Sequence, residues 1–287
     1  MKLTYAVQLV LLLLIGSVSS FWFCADKKWD KFKVKWSYNP ISSSAFYNLP
    51  RSTDADLRGF VEKDYHCNDA HEPVGPFAGT RYWKDADPAL MLIFDVNGII
   101  AGIQTAVPKS QFAPMAGPTV NHPWIEDGDN WVLTAYFVDP STICNGGRTK
   151  EDLENQGTGT GLYLQNGTNP KTDILFIDQD ERKTLLNTKW TFGKCFYTMG
   201  NHYWYNVREN MPCNEFFPMF LMYNKKKLNA FGFAINGQLS SPRYEHPTHD
   251  VLNKFLNPVP TCLETEPAYE HLSTMHVFFT DVLGNRC

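Results

Sequence analysis

The 287-residue chain is poor in charge: Asp, Glu, Lys and Arg make up 20% of it, and the formal net charge is −4. No basic field exists to hold a phosphate backbone, so nucleic acid is not an expected partner. After the first fifteen residues no apolar run is long enough to cross a bilayer, which takes about 20 residues. Low-complexity tracts and collagen-like repeats are missing, as are the short signatures of catalysis. There is no C-x-x-C pair, no H-E-x-x-H or H-x-H pair and no G-x-S-x-G elbow. Gly157-Thr-Gly-Thr-Gly161 lacks the lysine and following helix of a phosphate loop. Asp127-Gly-Asp129-Asn130 starts like a calcium loop, but Val138 stands where the twelfth-position glutamate belongs.

What is present points outward. Lys2, the apolar run Val7 to Ile15 and the small residues Gly16 to Ser20 have the order of a cleavable signal peptide, with cleavage expected before Phe21. Asn166-Gly167-Thr168 is a glycosylation acceptor between two apolar runs, as at the tip of a turn. The seven cysteines, Cys24, Cys67, Cys144, Cys195, Cys213, Cys262 and Cys287, are widely scattered, which in an oxidising compartment reads as disulfides. An odd number leaves at least one unpaired or bridged to a second chain, so a disulfide-linked dimer is one expectation. A secreted, extracellular glycoprotein follows from these features together.

Aromatics reach 14%, enough for a substantial core. The patterning predicts an α+β protein, predominantly antiparallel β, with few short helices. Lys31 to Trp36 alternates strictly and reads as an edge strand with lysines outward. Asp54 to Tyr65 has the apolar spacing of a helix, and shorter helical turns are expected at Thr149 to Asn155 and Asp250 to Leu256. Asn97-Gly98 between Leu90–Phe94 and Ile99–Val107 is a strong hairpin signal. Further strands are expected at Val132 to Val138, Leu221 to Tyr223, Ala230 to Ile235 and Met275 to Phe279.

The chain also resembles itself. Gly79-Thr-Arg-Tyr-Trp83 recurs as Gly200-Asn-His-Tyr-Trp204, each followed by a strand, a turn and a strand with a glycine, Gly102 or Gly232. His122-Pro123 parallels His246-Pro247, and Tyr136 to Asp139 parallels Phe278 to Asp281. The expected organisation is a signal peptide at 1–20 and a first β-rich unit at 21–144. A connector with the glycosylation site follows at 145–186, then a second β-rich unit at 187–287.

Where the copies differ, one has room to specialise. His202 stands where the first copy has Arg81, and His276 where it has Thr134, while His246 matches His122. Three imidazoles with an open fourth position suit zinc, copper or iron. Two functions are therefore expected from the sequence. The first is a non-enzymatic protein that binds a small molecule or an extracellular-matrix ligand, with its pocket between the two units. The alternative is a secreted metal-dependent oxidoreductase using His202, His246 and His276.

Overall fold

A computed structural model describes residues 28–35, 46–111, 123–186, 188–265 and 272–285. The signal-peptide segment, Trp36, His122, Cys24 and Cys287 lie outside the described residues.

Fifteen strands are formed among them. The first eight are β1 (Lys33–Lys35), β2 (Phe46–Asn48), β3 (Phe60–Tyr65), β4 (Thr80–Lys84), β5 (Asp87–Phe94), β6 (Ile100–Pro108), β7 (Ile125–Asp127) and β8 (Asn130–Tyr136). The rest are β9 (Leu162–Gln165), β10 (Ile174–Ile177), β11 (Trp190–Phe196), β12 (Gly200–Tyr205), β13 (Met219–Asn224), β14 (Lys227–Asn236) and β15 (Leu272–Phe278). They form two antiparallel sheets, ordered β3-β4-β5-β6-β8-β9-β10 and β11-β12-β13-β14-β15-β1-β2, with β7 pairing β8. The protein is mostly antiparallel β with a few short helices. No helix among the described residues is long and apolar enough to cross a membrane.

Each sheet is a run of sequential strands closed by a hairpin, β9–β10 in one and β1–β2 in the other. The expected first unit, 21–144, thus gives its opening hairpin to the other sheet, and the 145–186 stretch extends the first. Local details coincide as well. Gly79 and Gly200 both adopt positive φ, +87° and +107°. A Cβ at either would lie 2.5 Å from a carbonyl of the next strand, that of Phe94 or Tyr223. The ladders shift register at the same carbonyls, between Ile93 and Phe94 and between Met222 and Tyr223.

Period-two alternation sends one face of each sheet into a shared core. Leu92, Phe94 and Phe137 meet Leu221, Tyr223, Phe231 and Val277 there. Trp29 stacks on Phe279 at 3.9 Å between centroids, and its indole N–H donates to Leu228 O at 2.9 Å. Aromatic side chains dominate the core between the sheets, and at its margin Asp87–Ala89 and Ala106 face Leu239–Ser241 and Tyr244 across a second cavity.

Three sequence expectations are corrected. Asp54 to Tyr65 is not a helix: Arg58 and Gly59 take positive φ, and Phe60–Tyr65 pairs with β4 as an edge strand. Val61 and Tyr65, expected on a buried helix face, are exposed. β1 is not an edge strand, because β15 and β2 flank it, and Lys35 is 1% exposed. Gly232 does not share the ladder position of Gly102. Gly102 faces Ile93 as Ala230 faces Met222, two residues earlier. The helix Lys150–Gln156 does form, behind a reciprocal Thr149–Asp152 capping box. The turn at Asn97-Gly98 does join β5 to β6.

Disulfides join Cys67 to Cys144 and Cys213 to Cys262, and Cys195 is also disulfide-bonded. Asn166 is exposed beside the β9–β10 turn.

Candidate functional site

The outer face of the second sheet carries a cavity of about 260 Å³. Its position follows from the residues that alternate outward. On β14 these are Ala230, Gly232 and Ala234, while Phe231, Phe233 and Ile235 enter the core between the sheets. The missing side chain of Gly232 admits the Phe220 ring, which a Cβ there would meet at 2.2 Å, and the cavity lies beside that ring. Trp204 and His202 on β12, Phe220 on β13 and His276 on β15 wall it.

Residues 246–256 cover the cavity, contributing Pro247, Val251 and Phe255. The carbonyl of Phe255 fastens this cover to the sheet. It accepts from the Trp204 indole N–H at 2.9 Å and from the Lys194 backbone N–H at 3.2 Å. Gly193 permits the approach, since a Cβ there would sit 2.2 Å from that carbonyl oxygen. The Cys213–Cys262 bridge ties down the far end, amid the cluster that includes Leu252, Leu256 and Leu263.

Rings dominate the wall. Trp204 lies near-parallel to Phe220 and to Phe255, at 4.8 and 6.1 Å between centroids. His202 is stacked on Phe220 at 5.7 Å, and its Nδ1 donates to Gly200 O at 3.1 Å. Burial, helped by the nearby His276 ring, pushes the His202 imidazole down to about 3, so it is neutral at ordinary pH.

Buried charge enters this apolar chamber at the Lys35–Glu245 pair. Glu245 bridges to Thr274 through two backbone hydrogen bonds, extending the edge of β15 beyond the end of β1. Lys35 pairs across the ladder with His276. The three side chains therefore converge: Lys35 Nζ lies 3.3 Å from one Glu245 oxygen, and His276 Nδ1 lies 2.8 Å from the other. The His276 contact has ion-pair distance without hydrogen-bond alignment. The Lys35 and Glu245 side chains are each only 2% exposed. Burial works to raise the Glu245 pKa. The opposing pull of His276 and then Lys35 is larger, so the carboxyl is held below its ordinary range and ionised. His276 Nε2 has no hydrogen-bond partner among the described residues, and the ring lines the cavity. In the neutral ring, a carboxylate beside Nδ1 favours the proton there and leaves Nε2 as the acceptor. The chamber can thus grip an apolar body and engage one polar group.

The structure brings two of the three predicted histidines together. The His202 and His276 rings are 6.5 Å apart between centroids. His246 is not with them: its Nδ1 is hydrogen-bonded at 3.3 Å to Ser273, whose side chain is on the opposite face of β15 from His276. Among the described residues no group of three or more His, Cys, Asp or Glu side chains is arranged to hold a metal ion. Lys35, Phe220 and Phe255 were not singled out from the sequence.

The same ladder positions in the first sheet are filled. Arg81 faces Ile93 as His202 faces Met222. The row Met91, Gln104, Thr134 corresponds to Phe220, Gly232, His276. Ile125 opposite Val132 corresponds to Glu245 opposite Thr274. In the first sheet Arg81 lies over the Phe77 ring, with its guanidinium carbon 4.2 Å from the centroid. It donates to Asp64 from Nε at 2.6 Å and to Asp127 from Nη1 at 2.9 Å. Gln104 donates to Thr134 Oγ1 at 2.9 Å. Two long polar side chains thus plug the place that stays open in the second sheet. Compared with known protein families, curated proteins and solved structures, the chain matches none.

Proposed function

We propose that this is a secreted, disulfide-stabilised glycoprotein that binds a small, largely apolar molecule in the cavity of the second sheet. The observation that carries the reading is the chamber itself. It joins an aromatic wall to a buried Lys35–Glu245–His276 group, in the pattern of a ligand site with few placed polar groups. The matching place in the first sheet is plugged by Arg81 and Gln104. Export is supported by the leader-like first twenty residues, the exposed Asn166 sequon and the disulfides.

We also propose that the two sheets descend from a duplicated β unit, with the second copy freed for binding. Equal strand order, matching register shifts and the paired glycines at 79 and 200 support this.

The test is native mass spectrometry of protein secreted from eukaryotic cells, followed by organic extraction. A co-purifying small molecule, lost in Val251→Trp, which fills the cavity from its cover, is the expected result. If wild type and Val251→Trp carry the same small molecules, or neither binds any aromatic probe added in excess, the reading fails.

A further inference from the structure

We infer that the cavity takes a neutral, planar molecule of one or two aromatic rings, held by a hydroxyl or N–H donor to His276 Nε2. This rests on the ligand-binding reading above and specifies its chemistry.

Size comes first. An apolar cavity of about 150 Å³ admits benzene. At about 260 Å³ this one has room for a substituted ring or a fused pair, but little more. Shape comes second. Trp204 and His202 each lie within 25–35° of both Phe220 and Phe255, which favours a flat guest stacked or edge-on against them.

Charge comes third. Lys35 and Glu245 oppose one another at 3.3 Å, so a cationic guest meets the lysine and an anionic one the carboxylate. Lys254, at the mouth, is exposed and keeps its water. A charged guest would lose hydration in an apolar chamber with no unmatched opposite charge to receive it. Polarity comes last. His202 already donates to Gly200, leaving His276 Nε2 as the acceptor that faces the space. In the neutral ring the Glu245 carboxylate, 2.8 Å from Nδ1, favours the proton on that nitrogen and leaves Nε2 to accept.

The probes are p-cresol, toluene and benzoate, measured by calorimetry at pH 8 against wild type and His276→Phe. Toluene and p-cresol share ring and methyl and differ in the hydroxyl. The substitution should weaken p-cresol relative to toluene by about 2- to 13-fold, the range of one net hydrogen bond. An unchanged p-cresol to toluene ratio overturns this inference and leaves the cavity reading standing. Benzoate as the tightest probe, weakened by His276→Phe, also overturns it, because His276 would then be donating. Failure of every probe to bind wild type removes the ligand-binding reading as well.

Should His276→Phe not fold, nitrogen NMR of wild-type His276 decides. Its Nε2 resonance should shift towards the hydrogen-bonded value with p-cresol and stay in place with toluene. Equal response to both refutes the donor.

Discussion

Glu245→Gln removes one charge and almost no volume from the deepest polar spot of the cavity. At the observed 3.3 Å, a Lys35–Glu245 pair at an effective dielectric of about 20 has roughly 5 kcal/mol of Coulomb attraction. The neutral amide recovers part of this through its dipole. Removing one partner of a buried ion pair costs about 3–5 kcal/mol. In a chain of this size that is a fall in Tm of roughly 6–20 °C. Thermal unfolding followed by tryptophan fluorescence, with disulfides intact, reads it directly. The double variant Lys35→Met, Glu245→Leu removes both charges, and most of the loss should return, because neither charge is then held in the apolar interior. A Glu245→Gln shift under about 1 kcal/mol would refute the reasoning, since Lys35 would then not depend on that carboxylate. A double variant as unstable as the single would refute it too, by moving the cost from charge to packing.

Three further outcomes are expected. Stability should fall as pH drops from about 6.5 towards 3. His202 is kept neutral in the fold and is free to protonate once unfolded, so the slope is up to about 1.4 kcal/mol per pH unit. Urea unfolding at several pH values should lose that part of the slope in His202→Phe. Asp64→Asn should cost about 1.5–3 kcal/mol at pH 7, since Arg81 keeps Asp127 but loses its charged bonds to Asp64. His66, Arg81 and Lys63 outweigh burial and hold the Asp64 carboxyl well below its usual range. Its contribution is therefore complete above the unfolded value near 3.9, and the cost of Asp64→Asn should shrink as pH falls below that. Replacing Cys67 and Cys144 by Ala should cost about 4.5 kcal/mol by loop-closure entropy, because the bridge spans 77 residues. A loss under about 1 kcal/mol in urea would point to a denatured state that is compact without the bridge.

Much of the sheet architecture was legible because alternation and turn chemistry are local. Asn97-Gly98 fixes a hairpin wherever the rest of the chain goes. The repeated glycines at 79 and 200 mark one close approach made twice. The segment before β4 misled because Leu57, Phe60, Val61 and Tyr65 have helical spacing. Only the partner strand and the positive φ at residues 58 and 59 show it to be extended. The site was half legible. Comparing the two copies singled out His202 and His276, since each replaces a residue at a matched position. His246 was grouped with them on sequence order alone, and strand facing separates it from them. Lys35 was beyond reach for a different reason. A lysine in an alternating strand reads as solvated, and only its partner across β15, some way along the chain, shows that it is buried.

The N-terminal hairpin has a consequence for how the molecule is made. Residue 34 pairs with residue 277, so β1, although it can pair with β2 early, stays without its β15 ladder until almost the whole chain has left the ribosome. The first sheet can close once residue 177 is out, but the cavity cannot acquire Lys35 until β15 arrives. Synthesis therefore delivers the binding site last. Nascent chains arrested before residue 272 should leave residues 33–35 open to protease while β3 to β10 resist it, since Trp29 and Lys31 already have hydrogen-bond partners at Thr158. The same arrangement suggests a permuted gene. Starting at β3 and carrying β1 and β2 after β15, it would make each sheet continuous in sequence and let the site form from one uninterrupted half.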